Sequence, residues 1–293
     1  MKFETIPCHD SLRPFIRNYW LLTSQCTASD STQHIYSNGA ASLHFYLTQD
    51  VIIDKEPQPY STSLNRHDIG CMDLHCEVGD MNILGVEFVP FCARLFFPTL
   101  TNEVAHLRPS ASGDLAFIEL DRKIHANQNK EELVILLDNF FCQRLREIPI
   151  DERNIERLSS VFSEIVPTEG EPTAIKDFES LSPSDLATTA CIGQKQFTRI
   201  FNKYVGMVPK TYLRLLRFNK AMMELQKSAG KNSLSEIAWQ CGYCDLAHMA
   251  NDFHQLCGHS PSEILEFGAK MTEAFSPNYS SQMKKKVMLE NLE

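Results

Sequence analysis

Glycine is scarce in this chain: 12 residues in 293, none of them in a pattern that cradles a phosphate. That excludes a P-loop and the glycine-rich dinucleotide turn, because both bring backbone against phosphate where a Cβ would intrude. No Ser/His/Asp arrangement for nucleophilic catalysis stands out, and no enzyme is expected. Long apolar runs are missing too. The most apolar extended segment, 83–97, is broken by Glu87, Pro90 and Arg94, which rules out a membrane span there. The opening MKFETIPCHDSLRPF has no basic stretch followed by an apolar one, so no secretory signal is read and a cytoplasmic protein is expected. Positive charge is in deficit, with 28 Lys+Arg against 37 Asp+Glu and a net charge of −9. Taken whole, that speaks against a polyanionic partner. Cysteine is not scarce. Without a signal peptide, the ten cysteines read as reduced thiols, most of them buried as small hydrophobes.

The charge is unevenly placed. Residues 1–179 hold 15 Lys+Arg and 27 Asp+Glu, a net of −12, whereas residues 180–268 hold 9 and 7, a net of +2. An acidic N-terminal part joined to a mildly basic C-terminal part makes the charge of each part more informative than the total. Up to about residue 110 the pattern is β-rich. HIYSNGAASLHFYL sets an Asn38-Gly39 turn signal between two strand-like runs. In the second run Leu43, Phe45 and Leu47 share one face, and Ser42, His44 and Tyr46 share the other. The expected sheet is packed on the first face, while the second lines a cavity or meets solvent. MNILGVEFV is another strand, and PFCARLFF opens a short helix.

From Lys130 the period becomes helical. Leu133, Leu136, Leu137, Phe140 and Phe141 form one stripe, and Ile155, Leu158, Phe162 and Ile165 a second. The first stripe, Leu133 to Leu145, is a candidate homodimer contact because it needs an apolar partner, which its own β-rich unit can equally supply. The best linker is PTEGEP, 167–172, with two prolines, a glycine and two acids.

Beyond it a frame is written twice. IFNKYVGMVP, 200–209, and DFHQLCGHSP, 252–261, share Phe201/Phe253, Gly206/Gly258 and Pro209/Pro261 in register, with Leu213/Leu265 following. Each copy is preceded by a short helix pattern with an apolar-Ala pair, around Ala187 and Ala238. A tight turn follows, Cys191-Ile192-Gly193 in one copy and Gly242-Tyr243-Cys244 in the other. Two helices joined by a short turn, with a small residue where they cross, describe a helix-turn-helix. Here two are expected, joined by a long helix from about Lys210 to Lys227. Phe201, Phe253, Trp239, Leu213 and Leu265 are assigned to the core, and Gly206 and Gly258 to left-handed helix stops.

The residues Leu186-Ala187, Phe197-Thr198-Arg199-Ile200-Phe201, Gly206 with Pro209, Arg217 with Ala221, Glu236-Ile237-Ala238, Gly242-Tyr243, Asp245, His248, Asp252-Phe253, Gly258 and Ser260-Pro261 resemble the C-terminal DNA-binding domain of the AraC/XylS regulators. The resemblance covers roughly 172–268. PFIRNYW and IYSNGAASLHFYL also resemble a subgroup whose N-terminal domain is a small cupin-type β-barrel, although this chain has Ser37-Asn38 where the family usually has Pro-Asp. The resemblance implies an α+β protein of two domains. A cupin-like sensor spans 1–125, an amphipathic helical linker 126–166, a flexible linker 167–172, an all-α DNA-binding domain 173–268, and a tail 269–293.

It also implies a transcription regulator, an activator in many relatives, that meets promoter DNA and RNA polymerase, answers a small effector and needs no cofactor. In the family the exposed residues early in each second helix enter the major groove. Here these are Gln194, Lys195, Thr198 and Arg199, with Gln196, Asn202 and Lys203 flanking towards phosphates; in the second unit they are Leu246, Ala247, His248 and Asn251. Arg and Lys suit guanine O6 and N7, Asn suits adenine, and apolar groups suit the thymine methyl. The second set lacks a permanent cation and has Asp252 beside it, a carboxylate that phosphates would repel unless it turns inward. The expectation is therefore unequal readout, with the first unit supplying the charged contacts.

Trp20, Tyr36, His44 and Tyr46 are candidates for holding the effector. Two alternatives remain at this point. A metal-dependent cupin enzyme would use His44, His67 and His75. A thiol redox sensor would use cysteines such as Cys71 and Cys76. Cys241 and Cys244 form a C-x-x-C, but it falls across the second turn, where a buried Cys241 suits structure better than zinc.

Overall fold

The computed structural model describes residues 2–26, 32–36, 39–48, 51–53, 56–57, 62–65, 71–76, 79–100, 106–165, 180–228 and 232–268. The 167–172 linker, His67 and the 269–293 tail lie outside the described residues. The strands are β1 (Lys2–Ile6), β2 (Ile16–Cys26), β3 (Thr32–Tyr36), β4 (Ser42–Tyr46), β5 (Val51–Ile53), β6 (Glu56–Pro57), β7 (Thr62–Asn65), β8 (Cys71–Cys76), β9 (Gly79–Phe88) and β10 (His106–Leu107). They form two antiparallel sheets, one ordered β1-β2-β9-β4-β7-β10 and the other β3-β8-β5-β6. No ladder closes the two into a single barrel among the described residues.

The Asn38-Gly39 signal marks a crossing between sheets rather than a hairpin. β3 pairs with β8, whereas β4 pairs with β7 and β9. Gly39, at φ +81°, carries the chain across.

Alternation along β4 sorts its side chains as expected, but neither face meets solvent. Leu43 and Phe45 join Tyr19, Leu84, Val86 and Phe88 on the face that packs against helices. His44 and Tyr46 are buried on the other face. There Gly85 pairs with both Trp20 and His44. A Cβ on Gly85 would fall 1.9 Å from the Trp20 indole, so the ring lies directly across the strand.

The helices against the first face are α1 (Ala93–Phe96), α2 (Pro109–Ser112), α3 (Leu115–His125) and α4 (Lys130–Glu147). Leu133, Leu137 and Phe141 of α4 are buried in this same core, with Phe141 against Phe88 at 5.7 Å and Phe96 at 5.2 Å. The stripe offered above as a dimer contact is thus satisfied within its own chain. α5 (Glu152–Ile165) turns away from that core: Leu158, Val161, Phe162 and Ile165 pack with the C-terminal helices.

Those helices are α6 (Pro183–Thr189), α7 (Gln194–Val205), α8 (Pro209–Ser228), α9 (Leu234–Gln240), α10 (Leu246–Cys257) and α11 (Pro261–Gly268). Phe201, Phe253, Phe197 and Met249 are fully buried among them, and Leu213 and Leu265 pack in the same core. Trp239 departs from expectation, being 80 % exposed. It follows the buried Ile237-Ala238 pair on a two-turn helix, so the 3.6-residue period turns it outward while those two face α8 and α10. Among the described residues no helix is long and apolar enough to cross a membrane.

Candidate nucleic-acid interface

The two helix-turn-helix units are assembled from the same local devices. α6 and α9 each begin with a capping box, Ser182 with Asp185 and Ser233 with Glu236. In each box the serine oxygen accepts from the third helical N–H, and the carboxylate accepts from the serine N–H, satisfying two otherwise orphaned donors. These bonds hold the Asp185 and Glu236 carboxyls below their ordinary range. The turns match as well, with Ile192 N donating to Ala187 O at 3.1 Å and Tyr243 N to Ala238 O at 2.9 Å. Both turns need a left-handed residue; the second uses Gly242 at φ +75°, and the first uses Cys191 at φ +53°. α7 and α10 end on left-handed Gly206 and Gly258, as the repeated frame requires.

The outward faces of α7 and α10 differ. On α7, Gln194, Lys195 and Arg199 are exposed and Thr198 is half-buried, so all four open to one side. Gly193, the residue before α7, makes no side-chain cap, which leaves the first N–H groups of that helix facing outward. Lys203 lies at the opposite end of α7, with its ammonium 5.1 Å from the centre of the Tyr204 ring.

On α10, Asp245 caps the helix by accepting from His248 N at 2.7 Å, placing a carboxylate at that end. Leu246, Ala247 and Asn251 are exposed, but His248 is half-buried, edge-on to Tyr243 at 5.1 Å. Asp252 turns inward. It is 5 % exposed, and its Oδ1 accepts from Arg214 Nε of α8 at 2.6 Å. Arg214 also donates through Nη2 to Gln255 Oε1 at 2.6 Å, so one guanidinium holds two residues one turn apart on the same side of α10. Sequence reasoning left Asp252 with two possible directions and did not find Arg214. The pairing spans 38 positions, and only the crossing of α8 and α10 makes it.

Three of the four effector candidates come together. The Trp20 and His44 ring centres stand 5.2 Å apart, and His44 Nδ1 lies 3.3 Å from the Tyr46 hydroxyl. The Tyr36 side chain is outside the described residues, as are those of Cys71, His75 and Cys76. Glu87, missed in the sequence, shares this buried face and meets Arg17 at 3.4 Å. Among the described residues no group of His, Cys, Asp or Glu is arranged to hold a metal ion. Cys241 is fully buried, and burial pushes its thiol up to about 11, while Cys244 is exposed.

Comparison with known proteins follows the same division. Residues 186–266 match a family described as a helix-turn-helix domain, and residues 4–108 match a family described as a domain of unknown function. The chain is 29% identical over 85 residues to the HTH-type transcriptional regulator ArgR of Pseudomonas aeruginosa, covering 29% of this chain and 25% of that protein. It is 31% identical over 86 residues to the HTH-type transcriptional activator RhaS of Escherichia fergusonii, covering 29% of this chain and 30% of that one. The chain therefore spans less than a third of the length of these curated relatives. Among solved structures, ToxT from Vibrio cholerae aligns over 91% of this chain and 98% of its own, at 12% identity and a TM-score of 0.43. The matched residues 186–266 hold both turns, both glycine stops and the second capping box, with the first box just before them, and this stretch is similar to the helix-turn-helix domain family.

Proposed function

We propose that this chain is a sequence-specific, DNA-binding transcription regulator of the AraC type whose N-terminal unit receives a small-molecule effector. The observation that carries the reading is the doubled helix-turn-helix, each copy leaving the outer face of its second helix open. On the first face Lys195 and Arg199 have no ion-pair partner among the described residues, so both are free to meet guanine edges or phosphates. On the second face the helix start is already occupied by Asp245, and the outward groups are apolar or neutral. Unit one then provides the charge-assisted contacts, and unit two provides contacts to thymine methyls and adenine through Leu246, Ala247 and Asn251.

The effector is assigned to the buried face holding Trp20, His44 and Tyr46, where ring faces and an imidazole surround one region of the sheet. An effector acts by binding one arrangement of the two units better than another. Promoter DNA is the first partner, with RNA polymerase and a second copy of the chain as further ones. The side chains of Cys71 and Cys76, on which the redox alternative rests, lie outside the described residues, and burial pushes the Cys8 thiol up to about 11, away from the thiolate such chemistry needs.

Selection of bound duplexes from a random pool by the full-length protein, at one moderate salt concentration, tests the reading. The expected result is an enriched site with two blocks about one helical turn apart, one of them more strongly specified. Failure to enrich any sequence overturns it.

A further inference from the structure

The repeated frame makes the two units a controlled comparison. In each, the terminal glycine N–H bonds the carbonyl four residues back, Gly206 to Asn202 and Gly258 to His254. Past Gly258 a Cβ would meet nothing within 4 Å. At Gly206 it would fall 2.7 Å from Nη2 of Arg94 and 3.1 Å from its Cζ. This guanidinium stands at the end of α7, and its Nη1 donates to the carbonyls of Lys203 at 3.1 Å and Asn202 at 3.4 Å. A cation is favoured there, because the last carbonyls of a helix carry its negative end. Yet α10 stops in the same way with open space beyond its glycine, so the stop itself does not require Arg94.

Arg94 comes from α1, on the other side of the chain. α1 follows directly from β9, the strand whose Gly85 lies under Trp20. The turn between them is pinned by Val89 N to Phe15 O at 2.9 Å and Cys92 N to Val89 O at 2.8 Å. Ala93 is buried in the N-terminal core, and the next residue reaches α7. A cleft of about 990 Å³ between α1, α4 and α7 opens beside this contact, but its arginines are committed: Arg94 to α7, and Arg144 to Asp114 and the Phe96 carbonyl.

We propose that Arg94 is a positioning residue for DNA reading. It holds the last turn of α7 and so fixes the first recognition helix to the N-terminal unit, whereas the second is oriented through α8 and Arg214. Gln194 to Arg199 occupy the far end of α7, so Arg94 touches no DNA. It acts as the anchor of a lever about 18 Å long, and a tilt at the anchored end displaces the reading end. The inference rests on the DNA-binding function proposed above.

The test uses full-length protein and the selected duplex, with the block read by unit one identified by its insensitivity to Arg199→Ala once scrambled. Arg94→Gln is expected to weaken binding to the intact site about tenfold, a typical coupling between distant sites. The loss disappears when the unit-one block is scrambled and persists when the other is. Arg94→Lys, which keeps the charge, recovers most of the affinity. Without DNA, amide exchange in Arg94→Gln quickens at Tyr204 to Gly206 and stays unchanged at Leu256 to Gly258.

Wild-type affinity for the intact site, or equal loss on both scrambled sites, overturns the positioning role while leaving the DNA function standing. No enriched duplex for the wild type removes both. If Arg94→Gln does not fold, Gly206→Ala is compared with Gly258→Ala. Both incur the left-handed strain, but only the first pushes on Arg94. A larger loss on the unit-one block for Gly206→Ala supports the role, and matching behaviour overturns it.

Discussion

Arg199 and Asn251 hold equivalent places on the second helices of the two units, and their chemistry separates them. Arg199 can make two parallel bonds to guanine, and its replacement by alanine is expected to cost about 1–3 kcal/mol of specific affinity and relax base preference at one position. Asn251→Ala is expected to cost less. Competition against single-base variants of the selected site at constant salt measures both, and equal losses would remove the asymmetry. Cys191 has a different vulnerability. It is exposed and left-handed where the second unit has Gly242, and such a conformation costs a Cβ-bearing residue about 1 kcal/mol. Cys191→Gly should therefore raise the thermal midpoint, and a fall would show that its side chain packs. The turn was readable at 191–193, but the strain on Cys191 was not, because it shows only in the backbone angle. Trp239 was misread for a related reason. An aromatic beside two apolar residues looks like core until the helix phase places it on the far side.

Three helices of the C-terminal part start on the same reciprocal serine–carboxylate bonds: Ser182/Asp185, Ser233/Glu236 and Ser260/Glu263. All three carboxyls are held below their ordinary values, chiefly by bonds from their serines. A depressed carboxyl contributes stability above its unfolded range and loses it as pH falls through the folded value. The helical part is thus expected to lose stability as pH drops below about 4. Ser233→Ala should lower stability at neutral pH and flatten that acid dependence, since Glu236 then titrates more nearly as it does in the unfolded chain. Thermal melts of the two proteins from pH 7 to pH 3 check this, and parallel curves would mean the bond to Glu236 adds no pH-dependent stability. The spacing of these boxes lies open in the sequence, as do the glycine stops, because each device needs only four or five consecutive residues.

At the scale of the whole molecule, Phe162 is the joint. It stacks on Phe201 at 5.7 Å, meets Tyr212 at 5.3 Å, and lies 5.1 Å from Phe91 of the segment after β9. Gly39 approaches the same Tyr212 so closely that a Cβ would come within 3.0 Å of its ring. The N-terminal turn, α5, the first unit and α8 therefore share one core. Truncating a buried phenylalanine costs about 3–5 kcal/mol. Phe162→Ala is expected to lower stability by that order and to divide a single calorimetric transition into two, as the sheet-and-helix core and the helical core lose their common partner. A single transition shifted downward would show that the halves are joined elsewhere. The acidic charge of residues 1–179 beside the mildly basic helical part makes the relative placement of these halves matter for any polyanion that approaches.

The sequence by itself determined what short range can write. It specified the alternation that sorts β4, the two amphipathic stripes, the doubled frame with its turns and stops, and the residues on the outer face of α7. It also limited Asp252 to two directions. Tertiary structure alone decided the rest. It split the strands into two sheets, returned the α4 stripe to its own core, and chose Arg214 for Asp252. It also brought Arg94 to the end of α7 but left the matching end of α10 open. Helix phase, caps and turns depend on neighbours within one or two turns of chain. A guanidinium finding carbonyls more than a hundred residues away depends on how whole cores pack, and no local pattern encodes that.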